Sequence, residues 1–190
     1  MKNAINITYL GGPTIIMEIG SLRLMTDPTL DPAGETFMIN DKPAYSKTEG
    51  PANIYIGKID AILLSRDQHG DNLDNAGRKF LRSVPKTFTT RTGAERLKGN
   101  AIGLAPWETV ILNDKIAIIS TPARHGPAGS EHLTGVTSFI IATNEMQLYI
   151  TGDTVFYNGV KEVAEKFKPK YVFICWDSST AQSVCNRSNN

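Results

Sequence analysis

Residues 65–74, Ser-Arg-Asp-Gln-His-Gly-Asp-Asn-Leu-Asp, crowd potential metal ligands into one short stretch. His69 offers an imidazole, and Asp67 and Asp71 flank it with carboxylates. Two more segments have the same character: residues 121–127 carry His125, and residues 151–154 carry Asp153. Imidazole and carboxylate together suit zinc, manganese or iron. An ion held this way lowers the pKa of water and makes a nucleophile available at neutral pH. Arg66 runs against that chemistry, because a guanidinium stays charged at any working pH and repels a cation. Each residue also has an ordinary role when taken singly. His69 would be a loop histidine, Asp153 a turn residue beside its glycine, and Asp74 a charge that caps the helix after it.

All three segments follow runs that should be buried strands, 59–64, 116–119 and 148–150. Strand ends are where sites assemble from distant parts of a chain. Ahead of them, alternation and turn residues mark strands at 5–10, 14–19 and 22–26, the last stopped by Asp27-Pro28. Residues 28–58 hold many prolines and glycines without periodicity, the pattern of a long functional loop. Helical spacing marks 73–84, 93–97 and 159–167. Further strands are expected at 87–90, 110–112, 115–120, 136–142, 146–151 and 171–174. Strands dominate and helices follow only some of them. The class is therefore α/β with antiparallel or mixed sheets, not a regular parallel alternation. Residues 1–174 read as one domain, and residues 175–190, polar and aperiodic, as an irregular C-terminal tail.

A chain of 190 residues suits one domain with its own core. The formal net charge of +1 leaves no global field to attract nucleic acid or a membrane surface. No apolar run nears the ~20 residues of a membrane span, and residues 1–7 lack the apolar stretch of a secretion signal. Cys175 and Cys185 make no disulfide framework, which points to the reducing cytoplasm. Trp107 is expected to pack a sheet edge or pocket wall, Arg124 to be a solvated charge or to meet an anion, and His132 to be a loop residue.

Four segments in order carry a resemblance: Thr26-Asp27-Pro28, Leu63-Leu64-Ser65 ahead of the ligand loop, Thr121-Pro122-Ala123-Arg124-His125, and Gly152-Asp153-Thr154. Together they resemble the metallo-β-lactamase superfamily, in its branch of broad metal-dependent hydrolases, from residue 5 to about 174. The resemblance implies an αββα sandwich of two mixed β-sheets flanked by helices, with its C-terminal part incomplete here. It implies zinc, as one or two ions, with manganese or iron as substitutes. The family's loop reads His-x-His-x-Asp-His. One register sets Asp67, His69, Asp71 and Asn72 on its ligand positions; a register with one extra residue sets Arg66 on the first. Both keep His69 and Asp71, and both put Asn72 where the last histidine belongs. His125 would be the third histidine and Asp153 the aspartate that bridges two ions. The implied metal set is thus Asp67, His69, Asp71, His125 and Asp153, with Arg66 as a substituted ligand position. Asp71 would also be catalytic, orienting the attacking water, while Asp27, Asn72 and Thr154 would hold the ligands in place. The family's final histidine has no counterpart, since none follows His132. The implied reaction is attack of a metal-bound hydroxide on a small ester, lactone or phosphodiester, with a small anionic or cyclic molecule as substrate. Arg66, Asn72 and the missing histidine set the alternative: a non-catalytic domain, free of metal, that binds a ligand or partner through the same cleft.

Overall fold

The computed structural model describes residues 5–39, 42–113, 116–130 and 135–175. His132, Cys185 and almost all of the expected tail lie outside the described residues. The first part of the chain forms strands β1 (Ile5–Gly11), β2 (Thr14–Ile19), β3 (Leu22–Thr26), β4 (Thr36–Ile39), β5 (Lys42–Ser46) and β6 (Ala61–Leu63). Helix α1 (Asn75–Leu81), β7 (Thr87–Thr90), α2 (Arg91–Leu97) and β8 (Ala101–Leu104) follow. Then come β9 (Thr109–Asn113), β10 (Ile116–Pro122), β11 (Thr137–Thr143), β12 (Gln147–Ile150), α3 (Asn158–Phe167) and β13 (Tyr171–Phe173).

One sheet has the order β1-β2-β3-β6-β7-β8, antiparallel as far as β3 and parallel beyond it. The other has the order β13-β12-β11-β10-β9, antiparallel except where β12 meets β13. A strand turns successive side chains to opposite faces. Ile15, Met17 and Ile19 therefore meet Ile118, Phe139, Ile141, Leu148 and Ile150 between the sheets. The intervening Ile16, Met25 and Ile62 face the other way and pack with Leu73 and Leu81 on the α1 side. Ile119, Ile140 and Tyr149 likewise lie with Val163 of α3. Strands that are apolar on both faces need cover on both, and each fully buried side chain of this kind contributes about 1.5–3 kcal/mol. The result is the αββα sandwich, with mixed sheets as expected. No helix among the described residues is long and apolar enough to cross a membrane.

Three departures from the sequence reading have physical causes. Residues 28–58 are not all loop, because β4 and β5 pair as a separate hairpin. β8 went unmarked because Gly103 interrupts it. That glycine lets α2 approach: a Cβ there would lie 2.6 Å from Arg91 Cα. Helix α1 is shorter than its periodicity suggested, since Asp74 caps it by accepting from Gly77 N at 2.8 Å. Asp31 takes the N–H groups of Asn75 and Ala76, so the first turn is satisfied by two carboxylates.

Candidate metal centre

β10 and β12 both run antiparallel to β11, so their C-terminal ends reach the same edge of their sheet. His125 follows the first and Asp153 the second. The loop after β6, from the facing sheet, is drawn to the same edge. Ser65 O accepts from Thr137 N at 2.9 Å, and the Ser65 side chain packs onto Gly152. A Cβ on Gly152 would lie 2.6 Å from Ser65 Cβ, and its φ of +57° is strained for any other residue. Gly152→Ala is expected to destabilise the protein by about 2 kcal/mol and to weaken metal binding by parting Asp153 from the β6 loop. Urea unfolding and metal titration check both.

His69, His125 and Asp153 each present one ligand atom, and these atoms lie within 4.8 Å of one another. All three side chains are partly buried. Asp153 is the hub. Its Oδ2 lies 3.1 Å from His125 Nδ1 and accepts from Arg66 Nη1 at 3.2 Å. The two imidazoles meet edge to face, with ring centres 5.2 Å apart. Asp71 stands aside, with Oδ1 3.8 Å from His69 Nδ1 and a side chain more than half exposed.

Asp67 is not brought into the group. Its carboxylate accepts from Arg96 Nε at 2.8 Å and Nη2 at 2.6 Å, a bidentate pair directed elsewhere. Its carbonyl accepts from Arg78. Arg66, its neighbour, turns to the opposite side and is 4% exposed. Of the two residues that the alternative registers set on the first ligand position, Arg66 is the one that reaches Asp153. Asn72 is buried and donates from Nδ2 to Asp27 Oδ2 at 3.5 Å. Its Oδ1 has no partner among the described residues.

Asp27 and Thr154, expected to hold the ligands themselves, bond to residues next to them. Asp27 accepts from Ser65 N at 2.6 Å and Ser65 Oγ at 2.7 Å, which fixes the residue before Arg66. Thr154 Oγ1 accepts from Arg124 N at 2.9 Å, which ties the Asp153 loop to the His125 loop. Three contributors escaped the sequence reading. Ser65 is the anchor for Asp27, and Arg96 is the partner that turns Asp67 outward. Phe37, on the β4–β5 hairpin, packs on Gly70, where a Cβ would lie 2.1 Å from the ring. Remote partners such as Arg96 and Phe37 leave no local signal. The glycine beside His69 was the one available hint of a close approach.

Burial shapes the electrostatics. Asp27 is pushed up to about 7 by desolvation, against the pull of its Ser65 hydrogen bonds. Desolvation and then the Arg66 charge hold His69 below its ordinary value, which favours the neutral imidazole a metal needs. Burial, then the charge of Asp153, raises Asp71. Burial raises Cys175 far enough to keep it a thiol. A cleft of about 1000 Å³ opens beside the group, lined by Phe37, Gly70, Asp71, Asn72 and Asp153 among others.

Two imidazoles and a carboxylate with a cleft beside them fit one zinc-type ion. They do not fit two. Among the described residues no second group of this kind forms: Asp71 stands apart, and Asn72 directs a donor N–H at Asp27.

No protein-family model matches the chain. It is 25% identical over 177 residues to a UPF0173 metal-dependent hydrolase of Sulfurisphaera tokodaii, covering 88% of this chain and 70% of the relative. Among solved structures, it is similar to an isothiocyanate hydrolase from Delia radicum gut bacteria. The TM-score is 0.69 at 20% identity, over 87% of this chain and 69% of the other. It is also similar to the metallo-beta-lactamase fold protein YhfI of Bacillus subtilis, with a TM-score of 0.56 at 13% identity, over 85% and 68% of the two chains. The sandwich, with a His–His–Asp group gathered at its strand ends, is the metallo-β-lactamase fold that these solved structures share. The curated relatives at this level of identity carry the name metal-dependent hydrolase.

Proposed function

We propose that the chain is a single-ion hydrolase that opens small esters or lactones. The observation that carries this reading is the approach of His69, His125 and Asp153 ligand atoms to within 4.8 Å beside the cleft. An ion held there supplies Lewis acidity and lowers the pKa of water. Zinc is the proposed ion, and manganese or iron suit the same donors. Asp71 is the proton acceptor. It sits on the cleft wall beside His69, and its raised pKa brings its basicity closer to neutrality. Arg66 sets a fixed positive charge beside Asp153, of the sign that an oxyanion needs as it forms.

The walls of the cleft narrow the substrate class. Asp31, Glu35, Glu49, Asp71 and Asp74 face it together with Asp153, and Lys47 is the lone cation among its described lining residues. Such a field disfavours a multiply charged phosphate and favours a neutral carbonyl compound. A reducing, cytoplasmic setting suits Cys175, which is a free thiol.

Purified protein is expected to carry about one zinc, manganese or iron per chain, and to hydrolyse a chromogenic acetate ester or a simple lactone. Chelation should abolish turnover and metal return should restore it. Protein that takes up no ion on loading overturns the proposal. One observation favours a second reading, a binding cleft without catalysis. Arg66 and His125 already engage Asp153, so a metal-free centre strands no carboxylate charge. Metal-free protein that binds a neutral ester analogue without turning it over would support that reading.

A further inference from the structure

We infer that Arg66 is a resident cation standing in for one ion of a two-ion centre, and that it limits this centre to a single ion. The inference rests on the proposed metal site and specifies its composition.

The position of the guanidinium is built, not incidental. Arg66 is 4% exposed, yet its Nη1 reaches Asp153 Oδ2, the same oxygen that His125 Nδ1 faces. Its neighbour Asp67 is locked outward by the bidentate pair with Arg96. Ser65, on the other side, is fixed by Asp27 through both its N–H and its hydroxyl. Arg66 is therefore held from both flanks.

The consequence for ion number follows from chemistry. Asp153 would be the shared carboxylate of two ions, but one of its oxygens is already taken by a guanidinium. A second ion would have to rely on Asp71, which is more than half exposed, and on Asn72, which points its donor at Asp27. Two dications beside the Arg66 guanidinium would repel it and each other, and like charges at short range repel strongly even in a polar protein environment. One ion on His69, His125 and Asp153 avoids that repulsion. The Nε of Arg66 has no partner among the described residues. A buried guanidinium held with a donor unspent is placed for its charge, not as a structural hydrogen-bonding hub.

The test is a cobalt(II) titration followed by ligand-field absorption, with metal content measured separately by elemental mass spectrometry. It uses wild type, Arg66→Lys, Arg66→Met and Arg66→His, each checked for folding by thermal melt. Wild type and Arg66→Lys are expected to saturate at one ion per chain. Arg66→Met and Arg66→His should bind cobalt at least about ten-fold more tightly, the low end of what a neighbouring group changes. If Arg66→Met fails to fold, Arg66→His against Arg66→Lys decides. Two ions in wild type, equal affinity in every protein, or no uptake by any of them overturns the inference. Uptake by Arg66→His or Arg66→Met but not by wild type also overturns the inference, because the guanidinium then excludes every ion, and it sinks the proposed hydrolase with it. Two ions in wild type overturns the inference alone.

Discussion

Asp153→Ala should lose metal binding and about 3 kcal/mol of stability together. The two losses have one origin. Asp153 is the carboxylate of the metal group and also the counterion of Arg66. Arg66 is almost wholly buried, so removing its partner strands a charge in a poorly solvated place. The His125 contact at 3.1 Å goes as well. Urea unfolding of metal-free protein measures the stability loss, and elemental analysis the metal loss. Adding Arg66→Met to Asp153→Ala should recover most of the stability, because the stranded charge is gone, but no metal binding. A loss well under about 1 kcal/mol would show the pair to be screened by solvent like a surface ion pair.

The second large effect is on pH. Metal-free protein should lose stability as pH rises from about 4 to about 7. Asp27 is raised to about 7 in the fold against 3.8 for an ordinary aspartate. Between those values the folded chain keeps a proton that the unfolded chain has released. Stability from this group is full below about 4, declines across the interval, and is gone above about 7, an effect on the order of 4 kcal/mol. Asp71, also raised, adds to the same trend. His69 opposes it. Its lowered pKa means the unfolded chain binds the proton first, so its contribution falls away below about 6.5. Asp27→Asn separates the terms: the fall in urea midpoint between about pH 4.5 and 7.5 should flatten or reverse. An unchanged slope in that variant would place the effect elsewhere.

Much of the scaffold was legible in the sequence, and the reasons are local. β2, β3 and β7 begin and end where alternation and turn residues place them, because burial on one or both faces leaves its period in the chain. His69, His125 and Asp153 were legible for the same reason, each lying just beyond an apolar strand. The β4–β5 hairpin and β8 were not, since a separate two-stranded ribbon and a strand broken by Gly103 carry no such period. The direction of Asp67 was not legible either. Whether it or Arg66 faces the centre depends on Arg96, which lies in α2, a helix away from the loop. Asn72 showed its identity in sequence but not its use, because its partner Asp27 sits on a different strand end.

The ligands come from both halves of the sandwich: His69 hangs from the sheet that contains β6, and His125 and Asp153 from the sheet that contains β10 and β12. An ion bound among them therefore works as a rivet through two plates. It cannot be released by the fraying of one loop without that loop first leaving the opposite sheet. The free energy of binding is added to the cohesion of the whole body, and the centre becomes a lock on the architecture that carries it.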